Sequence, residues 1–365
     1  MVLNNRRTLG LLALLLIAGV AVTRPAAAAS FTVTSVLDAA DANPGDGVCA
    51  STATGSPCTL RAAIQEANAS AGADSIIFSA GGPFVLTLAG AGEDQAATGD
   101  LDIAPGGLTI TGNGAAQTVI DGGALDRVLE VQASASLTLT DVTIRNGQTN
   151  TYGGGLASAG ALTLNRVTLA NNQAGILGGG LFVGAGQAVV SRSLIHANQA
   201  AGDGGGAYLD SAAILRLVNV TVAANTATAG SGGGLYTNNA ALVLFNVTVS
   251  GNTAAGAGGG VFGTASVRNS ILAANTGDKD CGGTLNSQGY NFIGNPASCT
   301  VSGIATGNRS GANPLGGFNG QVFPLTGSSA AIDAGDPAGC VADAGCSPLT
   351  VYQMGNLRPQ NGDGL

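Results

Sequence analysis

Gly232-Gly-Gly-Leu-Tyr-Thr-Asn-Asn-Ala-Ala-Leu-Val-Leu-Phe-Asn-Val-Thr-Val-Ser-Gly-Asn252 is the stretch that decides the fold. It holds three short apolar runs, within Gly234–Thr237, Ala241–Phe245 and Val247–Val249, separated by Gly and Asn. The same pattern returns on both sides. Gly-Gly-Gly begins at Gly153, Gly178, Gly204, Gly232 and Gly258, at intervals of 25, 26, 28 and 26 residues. A second motif keeps phase with it, starting at Asp141, Arg166, Arg192, Asn219, Asn246 and Asn269, and an Asn follows each time: Asn146, Asn172, Asn198, Asn225, Asn252 and Asn275.

A fixed period of this size means a solenoid or a propeller. A propeller blade needs roughly 40 residues for its four strands. A leucine-rich repeat needs a regular Leu ladder, which is missing. Three short strands per turn describe one coil of a parallel β-helix, so the expected fold is all-β and right-handed. Successive coils then stack at about 4.8 Å and equivalent side chains form columns. Val, Leu and Ile columns fill the interior, Asn and Gly tolerate left-handed corners, and a column of Asn can hydrogen-bond along the stack. No coil buries its own core, so neighbours must do it.

The ends need covering. Thr59–Asn68 reads as a short amphipathic helix with Leu60, Ala63, Ile64 and Ala67 on one face and Thr59 as N-cap. It is expected to plug the N-terminal end. Ahead of it, Arg6 and Arg7, the apolar run Leu9–Val22 and the small residues Ala26–Ser30 have the layout of a secretory signal peptide. The expected organisation is a signal peptide over 1–29, an N-terminal cap over 30–79, β-helix repeats over 80–310 and a C-terminal extension over 311–365. No later segment is long and apolar enough to span a bilayer. The expected location is secreted or cell-surface.

Composition narrows the function. Gly is 60 of 365 residues, charged residues are 9% and apolar residues 45%, which excludes disorder. The net charge of −8 argues against a nucleic-acid partner. Six cysteines fall in local pairs, Cys49 with Cys58, Cys281 with Cys299, and Cys340 with Cys346, and disulfides are the leading reading for an exported chain. Zinc lacks its CxxC spacing and nearby histidines. Neither a metal nor another cofactor is expected, and the Gly runs are not phosphate loops, since no Gly-Lys-Ser/Thr follows them.

Several stretches resemble known families. Asp46-Gly-Val-Cys49 through Cys58-Thr-Leu-Arg-Ala-Ala-Ile-Gln-Glu-Ala-Asn68 resembles the CSLREA domain, with Thr59 in place of its Ser and Ala62 in place of its Glu. The repeats resemble those of polymorphic outer-membrane proteins. Asp280-Cys-Gly, Gly289–Gly294, Gly327–Asp333 and Arg358-Pro-Gln360 resemble the choice-of-anchor Q class. Together these imply a β-helix on the bacterial exterior with an adhesion or binding role. No sorting signal is visible after Arg358-Pro-Gln360.

An enzyme is the rival expectation. Glycoside hydrolysis needs carboxylates around one bond, and lyase chemistry a calcium held by acids plus a basic residue. Between Asp141 and Asn275 only Asp141, Asp203 and Asp210 are acidic, and Asp203 and Asp210 lie seven residues apart in one coil. Asp100, Asp102, Asp121, Asp278 and Asp280 could meet only through folding. His196, the one histidine, sits in a strand-ending slot filled by Ala or Ser elsewhere and reads as a column residue. The Asn-Val-Thr sequons at Asn219 and Asn246 read as column residues too. Arg166 and Arg192 would stack on adjacent coils and repel unless solvated or bound to an anion. No catalytic residue is assigned. The preferred function is display or binding of an extracellular polysaccharide or cell-surface partner. A polysaccharide lyase or hydrolase is the runner-up, and packing in a surface layer a third reading.

Four repeats place an aromatic after the Gly run: Phe182, Tyr208, Tyr236 and Phe262, with Ala157 in the first repeat. If Leu181, Ala207, Leu235 and Val261 fill the interior, alternation puts the rings outside, spaced about 4.8 Å apart, to stack on successive sugars. The alternative is a column that only packs, in the core or beneath a loop, and the two Phe favour it.

Overall fold

The computed structural model describes residues 28–326 and residue 331. The chain is a parallel β-helix. Every pairing between its named strands is parallel, in sheets of 15, 10 and 5 strands. A middle coil runs through Leu235–Thr237, Ala241–Phe245, Thr248–Ser250 and Thr253–Ala254 before the next begins. The fourth of these, only two residues long, has no apolar run to announce it, so the sequence shows three strands where the coil has four.

Interior columns follow the expected residues. Leu101, Leu129, Leu156, Leu181, Ala207, Leu235 and Val261 lie in register from coil to coil and are all fully buried. Leu169, Ile195, Val222, Val249 and Leu272 form a second such column on the ten-stranded sheet. Each enclosed aliphatic contributes about 1.5–3 kcal/mol relative to exposure.

Corners explain the rest of the motif. Asp141, Arg166, Arg192, Asn219, Asn246 and Asn269 all have positive φ, between 49° and 62°, so this polar column marks a left-handed corner. The two Arg do not clash. Arg166 forms a bidentate ion pair with Asp141 on the preceding coil, at 2.6 and 2.5 Å, and Arg192 donates to Asn165 Oδ1 at 3.0 Å. At the Gly runs the first glycine turns, with φ +65° at Gly232. The second cannot carry a side chain, because a Cβ on Gly233 would lie 2.3 Å from the Thr253 carbonyl oxygen of the next coil.

The Asn column forms as expected. Asn172, Asn198, Asn225 and Asn252 each donate from Nδ2 to Oδ1 of the next Asn at 2.8–3.0 Å, ending on Asn275, which donates to Asp280 Oδ1. Asn146 is not part of it. Gly147 occupies that slot and donates its N–H to Asn172 Oδ1, while Asn146 takes the left-handed position before it.

Helix α1 spans Leu60–Ala69, with Thr59 accepting from the Ala62 N–H as its N-cap. Leu60, Ala63, Ile64 and Ala67 are buried, as the pattern predicts, but so are Arg61, Gln65 and Glu66. Each of these has partners. Arg61 pairs bidentately with Asp38 and donates to the carbonyls of Ala96, Gly99 and Asp100. Gln65 donates to Ala96, and Glu66 accepts from Gly45 and Gly47. Ser30–Val33 and Ala73–Phe78, inside the segment expected as cap, are rungs of the 15-stranded sheet.

Cys49–Cys58 and Cys281–Cys299 are disulfides, with Cα separations of 5.0 and 5.6 Å. Cys340 and Cys346, the expected signal peptide over 1–29, and the motifs at Gly327–Asp333 and Arg358–Gln360 lie outside the described residues, except Ala28, Ala29 and Ala331. No described helix is long and apolar enough to cross a membrane.

Candidate functional site

One outward column carries most of the unusual chemistry. The residue after the inward residue that opens each strand runs in register as Asp102, Glu130, Ala157, Phe182, Tyr208, Tyr236, Phe262 and Gly282. All four sequence-predicted rings are therefore on the side away from the lumen. They stack on one another. Phe182–Tyr208, Tyr208–Tyr236 and Tyr236–Phe262 have centroids 5.6, 5.1 and 5.2 Å apart and interplanar angles of 8°, 7° and 19°. This is the offset arrangement that ring quadrupoles prefer.

A fifth ring completes the stack. Ala157 leaves the first repeat without an aromatic, but Tyr152, from the turn before the Gly run, lies on Phe182 at 4.8 Å and 20°. Tyr152 is 39% exposed, whereas Tyr208 is 7% exposed. The spacing along the chain hides Tyr152, since it precedes rather than follows its glycines. Each inner ring has a neighbour against both faces. A ligand thus meets ring edges and hydroxyls along the middle of the stack, and a ring face at the Tyr152 end.

The flank of the stack is acidic. Asp210 accepts from Asn238 Nδ2 at 3.1 Å, and Asp203 from the Ser231 N–H at 2.7 Å. Burial, then the charge of Asp210, the Tyr236 ring and Asp203, pushes the Tyr208 hydroxyl up to about 12. Burial and Asp203 raise Tyr236 as well. Both phenols are neutral at physiological pH and available as donors.

At its N-terminal end the column turns acidic. Asp100, Asp102 and Glu130 each place a carboxylate oxygen within 4.8 Å of the others. Of the scattered acids that only folding could gather, Asp100 and Asp102 do meet. Asp121, Asp278 and Asp280 bond elsewhere, to Arg145, Ser298 and Asn275. Sequence reading missed Glu130, although Leu101-Asp-Ile103 and Leu129-Glu-Val131 repeat the aliphatic-x-aliphatic pattern of Leu181-Phe-Val183 and Ala207-Tyr-Leu209. Arg127 reaches both Glu130 and Asp100, the latter at 3.6 Å. Asp102 is fully buried. Its Oδ2 accepts from the Ala96 N–H at 2.9 Å, while Oδ1 and Arg127 Nε are enclosed with no hydrogen-bond partner. Burial raises Asp102 to about 8, helped by Asp100, and raises Asp100 to about 7, partly offset by Arg127.

His196 is held structurally. Its Nδ1 lies 3.2 Å from the Ala223 carbonyl, and Phe318 of the C-terminal segment packs on its ring at 4.8 Å. Clefts lie elsewhere, beside Asp121, Asn146 and Gln173 and beside Tyr290, Asn291 and Arg309.

No family model matches the chain, and no curated protein matches it. Among solved structures, the crystal structure of pectate lyase Pel9A is similar at a TM-score of 0.49 and 13% identity, covering 88% of this chain and 96% of that one. A likeness at that level assigns no activity.

Proposed function

We propose that the protein is an exported, right-handed β-helix with α1 as its N-terminal cap, and that it binds an extracellular glycan without cleaving it. The observation that carries this reading is the five-ring stack on the outer column, from Tyr152 to Phe262. Aromatic edges and phenol hydroxyls beside Asp203, Asp210 and Asn238 suit the C–H and hydroxyl surface of a neutral sugar. An acidic flank disfavours a polyanionic one. The two disulfides are compatible with an oxidising, extracellular setting. The signal-peptide layout of the sequence over 1–29 and the motif resemblances support export and surface display.

Polysaccharide cleavage has one observation in its favour: Asp102 and Glu130 stand in register on adjacent coils and bring two carboxylates together, and a pair of carboxylates is what hydrolysis uses. Against it, Asp102 is completely enclosed, so no glycosidic oxygen reaches it while the 93–100 segment is in place.

A glycan-array screen run beside a depolymerisation assay tests the two readings. Retention of a neutral glycan without shortening is expected; release of oligosaccharides would establish the rival. Tyr152→Ala should abolish retention at a stability cost of only about 0.5–1.5 kcal/mol, the worth of one aromatic pair. Unchanged retention would remove the stack from the binding surface.

A further inference from the structure

The acidic end of the column stands apart from the glycan reading. Its charged groups are three carboxylates and one guanidinium, and Arg127 engages Asp100 and Glu130 only. Among the described residues no ion pair reaches Asp102. One Asp102 oxygen already takes the Ala96 N–H. Oδ1 is therefore the oxygen left over, buried and bare, a state that ordinarily costs stability.

We propose that Asp100, Asp102 and Glu130 bind a calcium-class divalent cation that fastens α1 to the first coils. Oxygen-only donors select hard cations. Calcium bonds of about 2.3–2.6 Å let two oxygens sit up to roughly 5 Å apart on one ion, which accommodates a cluster spanning no more than 4.8 Å. Magnesium, with bonds of about 2.0–2.1 Å and strongly held water, asks for a tighter cluster and fewer protein ligands. When all three carboxylates are ionised, they and Arg127 together carry two uncompensated negative charges, which a doubly charged ion neutralises.

The backbone around the site explains the fastening. Asn68 of α1 donates to the Asp102 carbonyl at 2.7 Å and accepts from the Ala104 N–H. Arg61 holds the Asp100 carbonyl, and Ala96 is bonded to Asp102, Arg61 and Gln65 together. An ion drawing Asp100 and Asp102 toward Glu130 would tie this knot to the Leu129–Val131 strand.

The test uses the purified chain after chelator treatment at pH 7.5. Isothermal titration with calcium chloride should give one site, and saturating calcium should raise Tm by ~5 °C. Amide exchange over 93–104 should slow. Glu130→Gln, at a partly exposed position, and Asp102→Asn should each weaken calcium binding at least ~10-fold. Absence of binding heat and of a Tm shift up to roughly 10 mM calcium, beyond the weakest extracellular sites, overturns the proposal. Retention of both in the two variants also overturns it, by placing the ion elsewhere, and an equal response to magnesium overturns the choice of calcium. Glycan retention is read separately, so either proposal can fail alone.

Discussion

The middle coils and the junction between α1 and the first coils solve the same problem in opposite ways. Both bury polar groups in a narrow structure. In the middle coils repetition does the work. Asn225 is fully buried, yet it accepts from Asn198 and donates to Asn252 because each neighbour carries the same residue at the same place. At the junction nothing repeats. Arg61, Gln65, Glu66 and Asp102 need private partners drawn from 38–47 and 96–100. A ladder satisfies every member but its ends, whereas a private network leaves remainders, and the bare Asp102 oxygen is one. Chemistry that packing does not absorb therefore gathers where the repeat breaks down.

Three measurements would break or sharpen this contrast. Arg61→Ala should have the largest effect. It takes the guanidinium from the buried Asp38 carboxylate and the side-chain donor from the Gly99 and Asp100 carbonyls, costing ~4 kcal/mol in denaturant unfolding. A loss below ~1 kcal/mol would mean that the junction relaxes as freely as an exposed loop. Asn225→Ala comes next. It takes the acceptor from the Asn198 N–H and from one of the two Asn198 amide hydrogens, and the Asn225 amide from the Ile195 carbonyl, and ~3 kcal/mol is expected. A near-neutral result would show that water enters the ladder and that repetition is not what satisfies it.

The smallest effect concerns His196, where the C-terminal segment meets a middle coil. Burial lowers its pKa below the ordinary 6.5, partly offset by the Ala223 carbonyl. The folded state thus favours the neutral ring. The stability this brings is fully present above pH 6.5 and is lost as pH falls through the depressed folded value. Tm of the native chain should drop more between pH 7.5 and 5 than that of His196→Gln. Parallel curves would show that Phe318 does not hold the ring out of water.

Much of the solenoid was legible in the residues because one coil repeats. The aliphatic columns, the Asn ladder and the outward side of Phe182, Tyr208, Tyr236 and Phe262 all follow from a period and an alternation. The two-residue strand Thr253–Ala254 was not, since so short a strand has no periodicity of its own. Nor was the pairing of Arg166 with Asp141. Two Arg in one column read as charges kept apart by solvent, whereas the preceding coil supplies a carboxylate to one of them.

By itself, then, the sequence determined a parallel solenoid, its inward and outward residues and two close disulfides, because each depends on local pattern or on neighbours one period away. Only the tertiary structure decided that Tyr152 completes the ring stack, that α1 is buried around its polar face, and that Asp100, Asp102 and Glu130 converge. Tyr152 and the polar face of α1 meet their partners by three-dimensional proximity with no repeat length to announce them, and Asp102 and Glu130, though in register on adjacent coils, are joined by Asp100 only through the winding of the irregular first coils.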